Sequence, residues 1–369
     1  MKILQVITSL RMGGAEKLIA DMVPLYREHG YEADVLLFDG SDTPLKKELE
    51  EKGIRVFQVG RSTRVYNPLF ILKLVPYLRQ YDIVHTHNTA CQYFVALAKL
   101  ISGSRVRLVT TEHSTTNRRR ETRWFRLVDR WMYGCYNAII TISGKVTDML
   151  SSYLAKAGKI YTVYNGIHLP VFFNAGPFAK NEIMAGEFFL VSMVAGFREE
   201  KDQDTLIRAM ALLPDNYSLC LVGDGVRRPV CEELVKKLGL ERRVVFLGVR
   251  NDVPRLLKTS DVVVMSSHWE GFGLAAVEGM AAGKPVVASD VPGLAQVVDG
   301  AGILFPVEDA WALAFHIEHL MNDQSWYQQI AGLCLQRASE YDIRKTVDAY
   351  EKIYEDLYKG RIEKRRGQG

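Results

Sequence analysis

No Cys-x-x-Cys pair occurs among the five cysteines, which stand alone at Cys91, Cys135, Cys220, Cys231 and Cys334. An odd, scattered set argues against a disulfide framework and a zinc site, and suits a reducing cytoplasm. No uninterrupted apolar run approaches the roughly 20 residues that a membrane-spanning helix needs, so any membrane association is expected to be peripheral. Met1 to Leu10 holds one Lys and a short apolar run with no small-residue cleavage site after it, and is expected as a strand and not a signal peptide. A strong charge of one sign is lacking too: the net charge is +4, and no nucleic acid is expected as a partner. With 48% hydrophobic and 24% charged residues the composition is that of a soluble globular protein, far from disordered or collagen-like extremes.

What is present is a chain of 369 residues, more than one hydrophobic core usually fills, which predicts two domains. The charge is uneven along it. Residues 1 to 170 carry 24 Lys and Arg against 15 Asp and Glu, and the remainder 23 against 28, so the two halves have opposite signs and are expected to meet different partners. A basic half suits anionic lipid or an anionic acceptor.

Short β-branched runs alternate with helical patterns: Ile3 to Ile7, Val35 to Phe38, Val56 to Val59, Ile83 to Thr86, Leu108 to Thr111, Ala138 to Ile142 and Tyr161 to Tyr164. That rhythm predicts parallel βα units, with strands apolar on both faces inside a sheet covered by helices. The turn-rich passage Asn165 to Gly186 interrupts it, and the rhythm restarts at Phe188 to Ala195, Ser218 to Val222, Val244 to Leu247, Asp261 to Met265 and Pro285 to Ser289. The expected fold class is therefore α/β, with two Rossmann-like, doubly wound domains facing each other across a cleft, where open α/β sheets place ligands. The expected limits are 1–168 for an N-terminal domain, 169–186 for a linker and 187–342 for a C-terminal domain. Residues 343–360 are expected as a helix packing back on the first domain, because Val347, Tyr350, Ile353, Tyr354 and Leu357 form one apolar stripe. Residues 361–369 are expected as a disordered tail.

The strongest motif runs from Ser266 to Glu278, S-S-H-W-E-G-F-G-L-A-A-V-E, directly after a strand. Gly271 and Gly273 let backbone N–H groups approach a ligand, and a helix beginning near Leu274 points its positive end at the same place, so an anion is expected there. Glu270 and Glu278 flank that position, and carboxylates accept hydrogen bonds from sugar hydroxyls. Either glutamate alone reads equally well as a surface residue; with the glycines they read as a site.

The stretch Glu270 to Val287, E-G-F-G-L-A-A-V-E-G-M-A-A-G-K-P-V-V, resembles the E-x7-E signature of the family-4 retaining glycosyltransferases (glycosyl transferases group 1) of the GT-B fold. Further matching pieces extend over nearly the whole chain: Gly13-Gly14-Ala15-Glu16, Val84-His85-Thr86-His87-Asn88, Thr111-Glu112-His113, Tyr164-Asn165-Gly166-Ile167, Lys201-Asp202, Gly223-Asp224-Gly225, Phe246-Leu247-Gly248 and Val291-Pro292-Gly293. The resemblance implies that Glu270 contacts the transferred sugar and Glu278 the ribose hydroxyls, with Phe272, Gly273 and Leu274 offering backbone amides. It implies that Gly13 and Gly14 form a loop beneath the donor diphosphate, that Gly223, Asp224 and Gly225 lie by the base, and that His113 contacts the sugar. Lys201 would neutralise the diphosphate, a role that suits a compact ammonium. The family usually places an Arg five residues before that lysine; here Gly196 stands there, and Arg198 is the nearest candidate to replace it.

Two metal-like patterns are rejected. Asp202-x-Asp204 spells the D-x-D of metal-dependent transferases, but Asp204 reads as a helix N-cap. His85 and His87 alternate along one strand and share a face, yet no third or fourth ligand follows at zinc spacing. No metal and no cofactor are expected; the nucleotide diphosphate sugar is the substrate. In Arg118 to Tyr136, the residues Arg119, Arg123, Arg126 and Arg130 share a helical face, with Trp124, Val128 and Trp131 in a stripe beside it. Glu121 and Asp129 weaken that charge, and the stripe reads either as core or as a headgroup-boundary face touching an anionic membrane.

The resemblance implies metal-independent front-face transfer of a hexose or N-acetylhexosamine with retention, onto a glycan or lipid-linked glycan, in assembly of cell-surface polysaccharide or glycolipid. The expected location is the cytoplasm, at the inner face of the cell membrane. Competing readings are a sugar-nucleotide epimerase or phosphorylase of similar architecture, and a non-catalytic nucleotide-sugar binder, which Gly196 makes conceivable.

Overall fold

The computed structural model describes residues 1–11, 13–61, 65–113, 123–154 and 160–360. The chain divides into two compact units, one formed by Met1–Gly166 with the segment from Ile343 onward, the other by Ile167–Asp342. Counted over these units, 32 Lys and Arg stand against 20 Asp and Glu in the first and 15 against 23 in the second, so the asymmetry is larger than a simple cut of the chain suggests.

The first unit carries β1 (Lys2–Ile7), β2 (Glu32–Leu37), β3 (Val56–Gln58), β4 (Ile83–Thr86), β5 (Arg107–Glu112), β6 (Ala138–Thr141) and β7 (Ile160–Thr162). Between them run α1 (Gly14–Glu28), α2 (Pro44–Glu51), α3 (Leu69–Gln80), α4 (Thr89–Ser102), α5 (Arg123–Gly134) and α6 (Gly144–Leu154). The strands form one parallel sheet in the order β3-β2-β1-β4-β5-β6-β7. Alternation of side chains along β1 divides the core: Ile3 and Ile7 pack among α1 and α2, while Leu4 and Val6 pack among α3 to α6. Both faces are thereby covered, which is why the strands are mainly apolar, with buried polar exceptions such as Gln5, Asp34 and His85.

The second unit opens with α7 (Leu169–Phe173), then β8 (Phe189–Val194), α8 (Gln203–Met210), β9 (Tyr217–Val222), α9 (Arg228–Lys237), β10 (Val244–Gly248) and α10 (Val253–Thr259). It continues with β11 (Val262–Met265), α11 (Leu274–Ala281), β12 (Val286–Ser289), α12 (Pro292–Val298), β13 (Ile303–Phe305), α13 (Ala310–Asn322) and α14 (Gln324–Ala338). Its parallel sheet runs β10-β9-β8-β11-β12-β13. The passage 169–186 is part of this unit: it holds α7 and a single 3-10 turn, and Phe178 and Ile183 pack on Leu190 and Val222. The strand β13 was not expected, although its three residues are as many as those of β3 and β7.

The last helix, α15 (Ile343–Tyr358), belongs to the first unit and lays Ile343, Val347, Tyr350, Ile353, Tyr354 and Leu357 against α1 and β1. Each buried side chain of that size contributes about 1.5–3 kcal/mol. In both sheets the chain starts mid-sheet and later reverses direction, between β1 and β4 in one and between β8 and β11 in the other. Those reversals are the topological switch points, where open α/β sheets leave a crevice at the carboxyl ends of the strands.

Candidate functional site

At the switch point of the second unit two loops meet, one after β8 and one after β11. The Ser266 hydroxyl donates to the carbonyl of Asp202 at 2.7 Å, and the His268 amide donates to the carbonyl of Glu200 at 2.9 Å. These bonds fix the β11 loop on the β8 loop and bring Lys201 and Glu270 together. The Lys201 ammonium forms an ion pair with the Glu270 carboxylate, whose same oxygen accepts from the Ser267 hydroxyl at 3.2 Å. Only 19% of the Lys201 side chain and 13% of the Glu270 side chain reach solvent, so both charges are held in one place by each other. Ser267 was not singled out from the sequence, although it lies three residues ahead of Glu270 in the quoted motif.

The helix beyond this pair starts as its sequence requires. Gly273 caps α11 with φ +91°, and a Cβ there would lie 2.7 Å from a Leu294 methyl, so only glycine is comfortable. Gly293 lets the β12–α12 turn lie directly on the loop, since its Cβ would fall 2.1 Å from the Glu270 carbonyl oxygen. The Phe272 ring is buried edge-on to Tyr341, centroids 5.3 Å apart, leaving the Phe272 backbone and not its side chain to meet a ligand. Leu274 opens α11, and Glu278 follows one turn later, half-buried on the same helix.

Gly223, Asp224 and Gly225 end β9 against the β8 loop. The amides of Ala195 and Phe197 donate to Val222 and Asp224 at 2.9 and 3.0 Å. Gly223 has φ +131° and its Cβ would sit 2.1 Å from the Ala195 oxygen; that of Gly225 would sit 2.4 Å from the Phe197 oxygen. Loop packing alone therefore demands both glycines. The exposed Asp224 carboxylate accepts from the Gly225 amide at 2.8 Å.

At Gly196 the situation is the reverse. A Cβ there would have no neighbour nearer than 3.7 Å, and one of the two at that distance is Nε of Arg198. A Cβ would fit at 196, and the Arg198 side chain passes beside the same position. That side chain is 64% exposed, with the Glu200 carboxylate 3.8 Å away.

The reading of Asp204 as an N-cap is corrected. The cap of α8 is Asp202, at φ 46°, whose carboxylate accepts from the Thr205 amide at 3.2 Å and the Thr205 hydroxyl at 2.6 Å. A 3-10 turn over Glu199–Lys201 starts the helix earlier than the sequence suggests. Burial pushes the Asp202 carboxyl up, against the opposing pull of Thr205 and His268. Asp204 instead accepts from Arg227 at 2.7 Å, so neither carboxylate of the D-x-D pattern is uncommitted.

In the first unit Gly13 caps α1 in an extended conformation, φ −170°, and Gly14 is the first helical residue. Only the movable carboxylate of Glu16 would meet a Cβ at Gly13, so neither backbone conformation nor fixed packing requires glycine there. His113 follows β5 and its Nε2 lies 3.1 Å from Nδ1 of His87. His87 Nε2 lies 2.6 Å from Oε1 of Gln5, and the Gln5 amide donates to the Tyr354 hydroxyl at 3.2 Å. That hydroxyl lies 2.5 Å from Nδ1 of His85, whose Nε2 is 2.7 Å from the Thr111 hydroxyl. The sequence placed His85 and His87 on one face, and their rings are 4.2 Å apart. All four of their ring nitrogens are engaged in these contacts.

With Gln5 Oε1 accepting, His87 must donate from Nε2 and accept at Nδ1, so His113 donates from Nε2 and presents Nδ1 as an acceptor. Burial depresses all three imidazoles, His113 to about 4, and keeps them neutral. No sequence pattern shows this relay, since Gln5 and Tyr354 are 349 residues apart.

Two family models match the chain: Glycosyltransferase Family 4 over residues 12–170 and Glycosyl transferases group 1 over residues 178–332. The N-acetyl-alpha-D-glucosaminyl L-malate synthase of Bacillus anthracis is 30% identical over 290 residues, 75% of each chain. The chain is a family-4 glycosyltransferase of the GT-B fold. Anabaena HepE, solved in complex with UDP-glucose, superposes on this glycosyltransferase with a TM-score of 0.85 at 26% identity, over 96% of this chain and 100% of that one. An N-acetylgalactosaminyltransferase of Campylobacter jejuni acting on a diphospho-undecaprenol-linked sugar is 23% identical over 91% of this chain and 94% of its own. No helix among the described residues of the glycosyltransferase is long and apolar enough to cross a membrane.

The segment 114–122, with Arg118, Arg119 and Glu121, lies outside the described residues, as do the side chains of Arg123 and Trp124. In the rest of α5 the inward face is Met132, Tyr133 and Asp129, and Asp129 accepts from Tyr93 and, at 2.8 Å, from Tyr153. The expected apolar stripe is only partly inward: Val128 is half-buried, while Trp131 is exposed together with Phe125 and Leu127. Arg126 and Arg130 are exposed beside them, Arg126 donating to the Tyr153 carbonyl at 3.1 Å. The tail 361–369 also lies outside the described residues.

Proposed function

We propose that the enzyme transfers a hexose or N-acetylhexosamine, with retention, from a nucleotide diphosphate sugar to a glycan or lipid-linked glycan, in the assembly of cell-surface polysaccharide or glycolipid. The observation that carries this reading is the Lys201–Glu270 pair, held by the joined β8 and β11 loops at the switch point and next to the glycine-capped start of α11. A diphosphate is anionic, and a lysine beside a helix N-terminus stabilises the charge that develops as it leaves. Lys201 takes the diphosphate, assisted by Arg198 in place of an arginine at 196, and by the amides of Phe272, Gly273 and Leu274. Glu270, released from Lys201, accepts hydrogen bonds from the transferred sugar, and Glu278 from the ribose. Gly13 and Gly14 supply a loop for the diphosphate, Gly223, Asp224 and Gly225 lie by the base, and His113 Nδ1 accepts from a sugar hydroxyl. With cations and helix ends balancing the charge, neither metal nor cofactor has a role. Retention is supported by family membership and by the α-linked products that the names of the B. anthracis and C. jejuni relatives specify.

The proposed partners are the nucleotide-sugar donor, a glycan or lipid-linked acceptor, and an anionic membrane surface met by α5 at the inner face of the cytoplasmic membrane. For the last, Asp129 turned inward leaves Arg126 and Arg130 among exposed Phe125, Leu127 and Trp131, the composition of a headgroup-boundary face. The test is incubation with UDP- and GDP-sugars and a panel of acceptors, measuring nucleotide diphosphate release and the anomeric configuration of the product. Nucleotide binding without release across the whole panel favours a non-catalytic binder, and an inverted anomer rejects retention. Replacing Arg126, Arg130 and Trp131 with Ala is expected to reduce sedimentation with anionic vesicles; unchanged sedimentation removes the membrane from the proposal.

A further inference from the structure

At the carboxyl end of α1 the capping residue His29 faces α15, with its Nδ1 2.9 and 3.1 Å from the two carboxylate oxygens of Glu351. Asp348 stands one turn earlier on α15, and one ligand atom from each of these three side chains lies within 4.8 Å of the other two. We propose that His29, Asp348 and Glu351 form a divalent-cation site that fastens α15 to α1.

Charge favours a cation there. Asp348 is exposed and has neither a hydrogen bond nor an ion pair among the described residues, although Arg344 and Lys345 stand on the preceding turn. It lies three residues from Glu351, a spacing that sets two like charges side by side on a helix and destabilises it. Arg27 pairs with Asp34, and Lys359 pairs with Glu355, which also accepts from the Tyr31 hydroxyl at 2.8 Å. Lys352 is exposed at the next position of α15, about 100° round the helix from Glu351. The unsatisfied carbonyl groups in the last turn of α1 add negative potential at the same place.

The donor set gives the chemical class. One imidazole nitrogen and two carboxylates suit a borderline divalent ion such as zinc or cobalt, whereas calcium and magnesium prefer oxygen alone. Bonds of about 2.0–2.2 Å put tetrahedral ligand atoms about 3.4 Å apart, so the side chains need only small rotations, and His29 and Asp348 are exposed enough to make them. Three protein ligands leave a fourth position for water. Binding replaces a proton that His29 and Glu351 share with the metal ion. The site stands apart from the transfer chemistry: the fifteen residues of α1 at about 1.5 Å each put His29 roughly 22 Å from Gly14. Its consequence is mechanical. Tyr354 follows Glu351 by three residues, and its hydroxyl meets His85 at 2.5 Å and accepts from Gln5 at 3.2 Å, so a cation here holds the helix that anchors that buried network.

The test is calorimetric titration of the chelator-stripped full chain with zinc chloride, followed by thermal melts. Other histidines and cysteines also take up zinc, so the quantity read is the difference between the parent and Asp348→Asn. That variant breaks no existing contact and is expected to melt with the parent in the absence of metal. The parent should bind one equivalent more than Asp348→Asn and gain roughly 3–8 °C in Tm at a hundredfold excess of zinc over Kd, most of which the variant should lose. Asp348→His, which keeps a ligand while removing the charge, should retain both, and magnesium should not replace zinc. Zinc uptake and melting gains that are equal in the parent and Asp348→Asn, or absent from both, overturn the proposal. A loss in Asp348→His as large as in Asp348→Asn reduces the effect to charge screening and overturns it too.

Discussion

Removing the Lys201 ammonium tests whether the pair at the β8–β11 switch point is a working charge and not only a structural tie. In Lys201→Ala the Glu270 carboxylate keeps the Ser267 hydroxyl but loses its cation while remaining largely screened from water. Orphaning one member of a fully buried pair costs roughly 3–5 kcal/mol. Here both side chains still reach solvent at one edge, so about 1–3 kcal/mol is expected, a fall in Tm of roughly 2–10 °C. Glu270→Gln removes the opposite charge, and the double variant removes both; it should be less destabilised than the sum of the singles by about 1–2 kcal/mol. Turnover should behave differently, because a stabilising charge on the leaving diphosphate acts mainly in the transition state. Lys201→Ala is expected to lower kcat by about 10²–10³ with little change in KM, and the double variant should not recover it. Thermal melts read the first quantity and nucleotide diphosphate release the second. Zero coupling in the melts, or turnover within threefold of the parent at unchanged KM, would refute the role given to Lys201.

The depressed histidines predict a pH dependence of a definite sign. His85, His87 and His113 bind protons less readily folded than unfolded, so their contribution is complete above about pH 6.5 and is lost as pH falls from there toward 4. Urea unfolding from pH 8 to pH 5 should show that loss, and His113→Gln should make the slope shallower by close to one proton; an unchanged slope counts against a neutral His113. Gly223→Ala should cost about 1–3 kcal/mol in a melt because of its positive φ and the Ala195 oxygen, whereas Gly13→Ala should leave Tm alone and raise KM for the donor. The opposite pattern would exchange the structural and functional roles assigned to these glycines. Gly196→Arg should fold normally and raise turnover severalfold, most clearly in an Arg198→Ala background; no gain in that background would show that position 196 is not where a second cation acts.

The repeated βα pattern was legible because strands covered by helices on both faces are rich in apolar residues, and twelve of the thirteen strands among the described residues lie in runs that the sequence shows; Ile303–Phe305 was missed although β3 and β7 are equally short. The loop from Ser266 to Leu274 was legible for a related reason: a strand end, a left-handed glycine cap and a helix start are all local events. What the sequence hides is non-local. It treats Gly13, Gly196, Gly223 and Gly273 alike, yet the structure separates them into two that a neighbouring atom or a positive φ demands and two that nothing fixed demands.

The same distinction explains the misplaced cap. Asp202 and Asp204 have equal propensity to cap, and the choice is made by the 3-10 turn at Glu199 and by Arg227, which takes Asp204. His113 extends the point furthest. Its residue type shows only that it can exchange a proton, while its proton state follows from burial and from a relay that Gln5 starts on β1 and Tyr354 anchors from the last helix. A change in the Gln5 amide or in α15 would therefore alter which atom of His113 is left to accept a hydrogen bond without touching the loop that carries it, so the contact proposed between His113 and a sugar depends on α15.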